Sequence, residues 1–275
     1  MRRTTARVRV TSVSPEGVTH RPDRLVTEEP MEIRMHGPGE LPRAVAVTLR
    51  TPGHDFELAI GFCVSEGLLG DLDDLASAEY CLGPDGEQEY NVVTLARRRI
   101  VGDELRERHF AATASCGLCG KATLDDLAVR CSPVGEGPTV GWSQLADLPA
   151  RLASSQHLFD DTGGLHAAAR FDAQGSLVCV REDVGRHNAL DKVVGRAFLD
   201  RTLPCADDVL LLSGRVSFEL VQKAAVAGFA IVAAIGAPSS LAIETAERFG
   251  VTVVGFLRAD RANIYTSPER VDLDA

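Results

Sequence analysis

The chain has 275 residues, 45% hydrophobic and 25% charged, with a formal net charge of -10 at pH 7. That balance describes a soluble globular protein and argues against a general affinity for nucleic acid phosphates or an anionic membrane surface. Seven cysteines and an N-terminus without a secretory pattern indicate a reducing cytoplasm, and the longest apolar run, Ala224 to Ala237, falls short of the roughly 20 residues that span a bilayer.

The length predicts one or two domains, and two are expected. Residues 1 to about 27 read as a polar tail or irregular strand interrupted by Pro15, Gly17 and Pro22, and suggest no role. Strands are predicted at Met31 to His36 and Val45 to Arg50, followed by a Thr51-Pro52-Gly53 turn. From Asp55 the apolar residues Phe56, Ala59, Ile60, Cys63 and Val64 recur at helical spacing. Further strands are expected at Ala76 to Leu82 and Asn91 to Ala96, so residues 1–110 form a small α+β roll.

The second unit, residues 111–275, opens on Cys116-Gly117-Leu118-Cys119-Gly120-Lys121. A thiolate is the nucleophilic form of cysteine, and an ordinary thiol is only about 3% ionised at pH 7. Lys121 and the start of a helix near Thr123 would raise that fraction, while Gly117 and Gly120 leave a sulfur accessible to a large partner. A closed structural zinc site needs four ligands, yet Cys63, Cys81, Cys131, Cys179 and Cys205 supply no second Cys-x-x-Cys. The zinc-deaminase His-x-Glu is also absent, because His54-Asp55-Phe56-Glu57 is one residue too long. No structural metal is expected. Thiol-disulfide exchange is the stronger rival to sulfur transfer.

A helix is predicted from Ser143 to His157. Strands Leu177 to Val180, Val209 to Leu212, Ala230 to Ile235 and Val251 to Phe256 then alternate with helices Asn188 to Leu199, Phe218 to Ala227 and Ser240 to Phe249. Continuous apolar strands between amphipathic helices indicate a mostly parallel sheet covered on both faces. Ser217 and Ser239 stand where helices begin, Gly228 and Gly250 where they end.

The loops after these strands carry Arg181, Glu182, Asp183, Arg186, His187, Ser213, Arg215, Ser239, Arg258 and Arg261. Ligands of open α/β sheets bind at this edge. Arginine forks and helix N-termini suit phosphate, so an anionic nucleotide or phosphate-bearing cofactor is predicted, with GDP as a test ligand. Walker A and Gly-x-Gly-x-x-Gly loops are absent. His166, beside an alanine run, reads as a packed residue more readily than a catalyst; His187 is the stronger candidate.

Five segments together resemble the formate dehydrogenase accessory sulfurtransferases (FdhD): Cys116 to Gly120, Gly163 to Ala169, Arg181 to Lys192, Ser213 to Lys223, and Ala237 to Leu241. The resemblance implies a cytidine-deaminase-like three-layer α/β domain after the small α+β roll, without the deaminase zinc. It implies transfer of sulfur from a cysteine desulfurase to the molybdenum or tungsten bis(pyranopterin guanine dinucleotide) cofactor, that is Mo-bis(molybdopterin guanine dinucleotide) in the molybdenum case, before insertion into formate dehydrogenase. Cys116 would carry the persulfide. Phe256, Leu257, Arg258, Ala259, Asp260 and Arg261 would bind the cofactor, and a homodimer is implied. Cys119 could relay sulfur, release it, or shape the loop. A cofactor-carrying chaperone with structural thiols and a thiol-disulfide oxidoreductase remain the alternatives.

Overall fold

The computed structural model describes residues 3–83, 88–101 and 133–274. Strands β1 (Thr5–Ser14) and β2 (Gly17–Val26) form an antiparallel ribbon. Of the two readings offered by the sequence, a polar tail or an irregular strand, the strand holds, as a regular antiparallel pair. Pro15 and Gly17, read as breakers, lie at the reversal where Ser14 pairs with Gly17, a place that favours both residue types. No residue of the ribbon is fully buried; in β1 the alternation Ala6-Arg7-Val8-Arg9-Val10-Thr11 puts Val8 and Val10 on a half-buried face, whereas β2 is exposed along most of its length.

The next strands match prediction to within a few residues. β3 (Glu29–His36), β4 (Arg43–Arg50), β5 (Leu75–Leu82) and β6 (Gln88–Arg97) form a four-stranded sheet of order β4-β3-β6-β5, in which β3 and β6 run parallel. Helix α1 (Asp55–Ser65) joins its two hairpins. Met31, Ile33, Met35, Val93 and Leu95 point from this sheet into the core that α1 shares.

In the second half, β7 (Val140–Gly141) precedes α2 (Trp142–Ala153) and α3 (His157–Thr162), where one longer helix was expected. β8 (His166–Asp172) and β9 (Leu177–Asp183) lead into α4 (Arg186–Leu199). β10 (Asp208–Leu212), α5 (Phe218–Val226), β11 (Ile231–Ala234), α6 (Ser240–Phe249) and β12 (Thr252–Gly255) follow in alternation. β13 (Asn263–Ile264) and β14 (Val271–Asp272) complete the described chain, with β14 pairing to β7.

The large sheet has the order β13-β12-β11-β10-β8-β9. The expectation of a mostly parallel sheet is corrected here: β10, β11 and β12 are mutually parallel, whereas β8, β9 and β13 add antiparallel edges. Two strands of this sheet were unforeseen: the two-residue β13, and β8, whose buried Ala167-Ala168-Ala169 is a weak strand signal. Neighbouring residues on its strands face opposite sides. Leu210, Leu212, Val232 and Ala234 enter a core with α1, α4, α5 and α6; Val209, Leu211, Ile231 and Ala233 enter a second core under Leu145, Leu148 and Leu152 of α2. The result is the three-layer α/β arrangement implied by the resemblance. The proposed boundary at residue 110 lies outside the described residues, and the first core runs without a break from the four-stranded sheet to α6.

Helices α1 and α4 cross at two glycines. A Cβ on Gly61 would stand 1.8 Å from the Asp191 carbonyl oxygen, and one on Gly195 would stand 1.9 Å from that of Glu57. Backbone cannot swing aside as a side-chain tip can, so either methyl must push the helices apart. Gly195→Ala is therefore expected to destabilise the fold by about 3 kcal/mol, the upper range of core overpacking, in urea unfolding. Gly70→Ala, which meets nothing within 4 Å, serves as the neutral control, and equal effects from the two would contradict this packing.

Candidate functional site

Because β10, β11 and β12 are parallel, their following loops emerge at one edge. β8 runs antiparallel to β10 and β9 antiparallel to β8, so His166 and Asp183 reach the same edge. The loops are tied by backbone bonds: Gly236 N–H to Gly214 O at 3.0 Å, Val216 N–H to Ala237 O at 3.0 Å, and Phe256 N–H to Gly236 O at 3.0 Å. A Cβ on Gly236 would meet Gly214 O at 2.5 Å, so the approach requires glycine. Ser239 caps α6 by accepting from Ala242 N–H at 3.3 Å.

The six residues expected to hold the cofactor follow β12 directly. Phe256 has φ +53° and an exposed ring, an unfavourable backbone conformation for a bulky residue and of a kind that collects at functional sites. Leu257 is fully buried in the second core, so only its backbone faces the edge. Arg258 is exposed and donates from Nη1 to the carbonyls of Ile235 and Leu257 at 2.8 and 2.7 Å. Ala259, Asp260 and Arg261 are exposed, with a loose 3.7 Å pair between Asp260 and Arg261.

Across the edge stand His166, Arg186, His187 and Arg215. His187 Nε2 lies 2.9 Å from Glu219 Oε2 and 3.2 Å from Ser217 Oγ. That hydrogen bond holds the Glu219 carboxyl below its ordinary pKa, with burial opposing it. Glu219 was not singled out in the sequence, although its place in the first turn of α5, two residues after Ser217, is the signal that could have found it. Arg186 Nε is buried without a hydrogen-bond partner. Burial, then Arg186, His187 and Arg215, push the His166 pKa down, against Asp183.

Apart from Arg186 and His187, which face the edge, the charged and amide side chains of the long segment Arg181 to Lys192 form a polar frame within the protein. Asp183 is fully buried and lies 2.7 Å from Lys192 Nζ. It also accepts from the backbone amides of Thr51 at 3.1 Å and Gly185 at 2.8 Å, and from Asn188 Nδ2 at 3.0 Å. Lys192 donates further to Thr51 O at 3.0 Å, and Asn188 to Leu49 O at 2.8 Å. Arg181 grips Glu57 of α1 at 2.7 Å; burial opposes ionisation of Glu57, but Arg181 and His54 outweigh it and hold the pKa at about 2. Asp191 accepts from Lys223 at 2.8 Å and Ser65 at 3.0 Å. Glu182, counted in the sequence among the residues of the strand-end edge, caps α3 through the amides of Leu158 and Phe159 at 3.0 and 2.8 Å.

Cys116 and Cys119 lie outside the described residues, as does Cys131. Of the described thiols, Cys63 and Cys205 are buried and Cys179 is half-buried; burial pushes all three pKa values up, that of Cys205 to about 12. Such thiols are poor nucleophiles. Among the described residues no cluster of three His, Cys, Asp or Glu could hold a metal ion, and no helix is long and apolar enough to cross a membrane.

Removing one partner of a buried pair strands the other charge, at a cost of about 3–5 kcal/mol. Asp183→Ala should lose about that much in chemical denaturation, and the double variant Asp183→Ala, Lys192→Met should lose measurably less. A double variant as damaged as the sum of the two single changes would show that the charges are not coupled.

The FdhD/NarQ family model matches residues 26–272 of this chain. The chain is 51% identical to the sulfur carrier protein FdhD of Streptomyces coelicolor, over all of this chain and 98% of that one. It is 41% identical to the sulfur carrier protein FdhD of Thermoplasma acidophilum, over 90% and 87% of the two chains. The solved structure of a candidate formate dehydrogenase accessory protein from Desulfotalea psychrophila shares its fold, with a TM-score of 0.76 at 22% identity over 98% of this chain and all of that one. With matches of this extent and identity, the chain belongs to the FdhD/NarQ family.

Proposed function

We propose that this protein is a cytoplasmic sulfurtransferase that accepts sulfur from a cysteine desulfurase on Cys116 and delivers it to Mo-bis(molybdopterin guanine dinucleotide), or its tungsten counterpart, for formate dehydrogenase. The observation that carries the reading is the 51% identity, over the whole chain, to a relative named as a sulfur carrier. Two features of this molecule support it. Burial pushes up the thiol pKa values of Cys63, Cys179 and Cys205, and the half-buried Cys81 lies 3.0 Å from Thr94 Oγ1; none of these four has the glycine-flanked Cys-x-x-Cys setting of Cys116 and Cys119. The strand-end edge gathers arginines, an exposed aromatic ring on Phe256, and tightly tied loops, a surface suited to phosphates and a planar base.

The chemistry is a thiol exchange. The Cys116 thiolate attacks the terminal sulfur of the donor's persulfide, a new S–S bond forms on Cys116, and the donor's own cysteine leaves as a thiolate. No net oxidation occurs. The cofactor is cargo here: Phe256, Arg258 and Arg261 would hold its guanine dinucleotide end, while its metal end receives the sulfur. Cys119 would either relay that sulfur by attacking its terminal atom and carrying it as a second persulfide, or release it as hydrosulfide by attacking the inner sulfur, the two thiols then ending as a Cys116–Cys119 disulfide that accounts for the two electrons. A homodimer is the assembly we expect.

Intact-protein mass spectrometry after incubation with a desulfurase and cysteine tests the assignment. The wild-type chain should gain a reducible sulfur adduct of about 32 Da, the mass of one sulfur atom transferred in the exchange. Cys116→Ala should abolish it, and Cys119→Ala should retain it unless Cys119 is an obligatory relay. An adduct that persists in Cys116→Ala and vanishes in Cys119→Ala would reassign the carrier; no adduct on the wild type would favour a cofactor chaperone.

A further inference from the structure

Two arginines at the strand-end edge stand apart from the other cations around them. Arg181 is committed to Glu57, Lys192 to Asp183, Lys223 to Asp191, and Arg258 to two carbonyls. Arg186 and Arg215 have no such partner among the described residues. Arg186 is the sharper case, because its Nε is buried and makes no hydrogen bond; an unmet buried donor is costly, more so on a charged group. It opens α4, whose N-cap is Gly185 and therefore offers no side-chain acceptor to the first-turn amides.

The third member is His166. Its ring lies against Gly214, where a Cβ would come within 3.3 Å of Nδ1. The charged and titratable groups acting on it are Arg186 and His187 from α4, Arg215 from the loop after β10, and Asp183 from β9. The nearby acids are already occupied: Asp183 holds Lys192 and three further donors, and Glu219 holds His187. Among the described residues, Arg186 and Arg215 are thus brought to one corner where the acid Glu219, which Arg186 also influences, is already engaged by His187. That arrangement is unfavourable by itself and favourable around an anion.

We propose that Arg186, Arg215 and His166 form the diphosphate subsite of this edge, and that His166 takes up a proton when the diphosphate binds. This rests on the reading above that the edge holds a guanine dinucleotide, and it adds residues outside the Phe256–Arg261 segment. The two arginines match the two negative charges of a diphosphate ester. In the free protein, burial, then Arg186, His187 and Arg215, push the His166 pKa down. A bound diphosphate opposes those neighbours and raises its pKa, so over the interval between the free and bound values only the complex carries the proton. Affinity must then rise as pH falls through that interval.

The test is calorimetric titration of the full chain with GDP-mannose, whose diphosphate ester does not itself titrate near neutrality, and with guanosine. Arg186→Gln and Arg215→Gln should each weaken GDP-mannose about tenfold or more, as expected for loss of a charge-assisted contact, and leave guanosine unchanged. Wild-type affinity for GDP-mannose should increase between pH 7.5 and pH 6.0, and His166→Gln should flatten that dependence with an unaltered unfolding midpoint. The proposal is overturned if the arginine variants bind GDP-mannose normally, if they lose guanosine equally, if the pH dependence survives in His166→Gln, or if the wild type binds no diphosphate ester. ADP-ribose bound as tightly as GDP-mannose, with the same losses in Arg186→Gln and Arg215→Gln, would keep the subsite and reject the guanine reading alone.

Discussion

The Asp183–Lys192 pair, fully enclosed at 2.7 Å, is the contact on which the arrangement of the edge depends. Asp183 ends β9, and Lys192 lies in α4. Both also hold the Thr51 turn that follows β4, through its amide and its carbonyl. A buried charge is tolerable only when paired and hydrogen-bonded, and here each remaining site is filled by Gly185, Asn188 or backbone oxygen. Three elements from the two halves of the chain are therefore locked at one point. The glycine crossing of α1 and α4 and the Arg181–Glu57 pair extend the same lock along both helices.

That lock has a consequence for the site. Arg186 and His187 begin the helix that Lys192 anchors, so their positions relative to β10 and β8 are set by the buried frame rather than by surface contacts. The loops after β10, β11 and β12 are in turn bonded to one another. An edge held this firmly can keep uncompensated cations and a left-handed Phe256 in place, as a surface preorganised for an anionic ligand should.

Much of this fold was legible in the sequence where local signals were strong. The apolar runs of β10, β11 and β12, with Ser239 and Gly250 bounding α6, correspond to observed elements. The ribbon β1–β2 reads only as a polar tail or irregular strand because Pro15, Gly17 and Pro22 obscure the short alternation Ala6 to Thr11, and β8 is missed because three alanines carry little strand preference. The site was legible as a basic edge but not in its division of labour. The loop Arg181 to His187 reads as part of the ligand-binding edge, yet Asp183, with Asn188 and Lys192 just beyond it, finds partners more than 130 residues away in the chain. Pairing over that separation leaves no periodicity to read. Glu219 escaped notice for the same reason, since His187 is its partner from another helix.

The account joins a thiol carrier to a nucleotide-binding edge on one chain, and its central claim is that sulfur travels from the first to a cargo held by the second. Loading the protein with radioactive sulfur from labelled cysteine and a desulfurase, removing the donor, and then adding cofactor and inactive formate dehydrogenase measures that passage directly. The label should move to the cofactor fraction of the enzyme as activity appears, and neither should occur with Cys116→Ala. Activation of formate dehydrogenase while the label stays on the carrier would contradict the account and leave the protein as a cofactor chaperone.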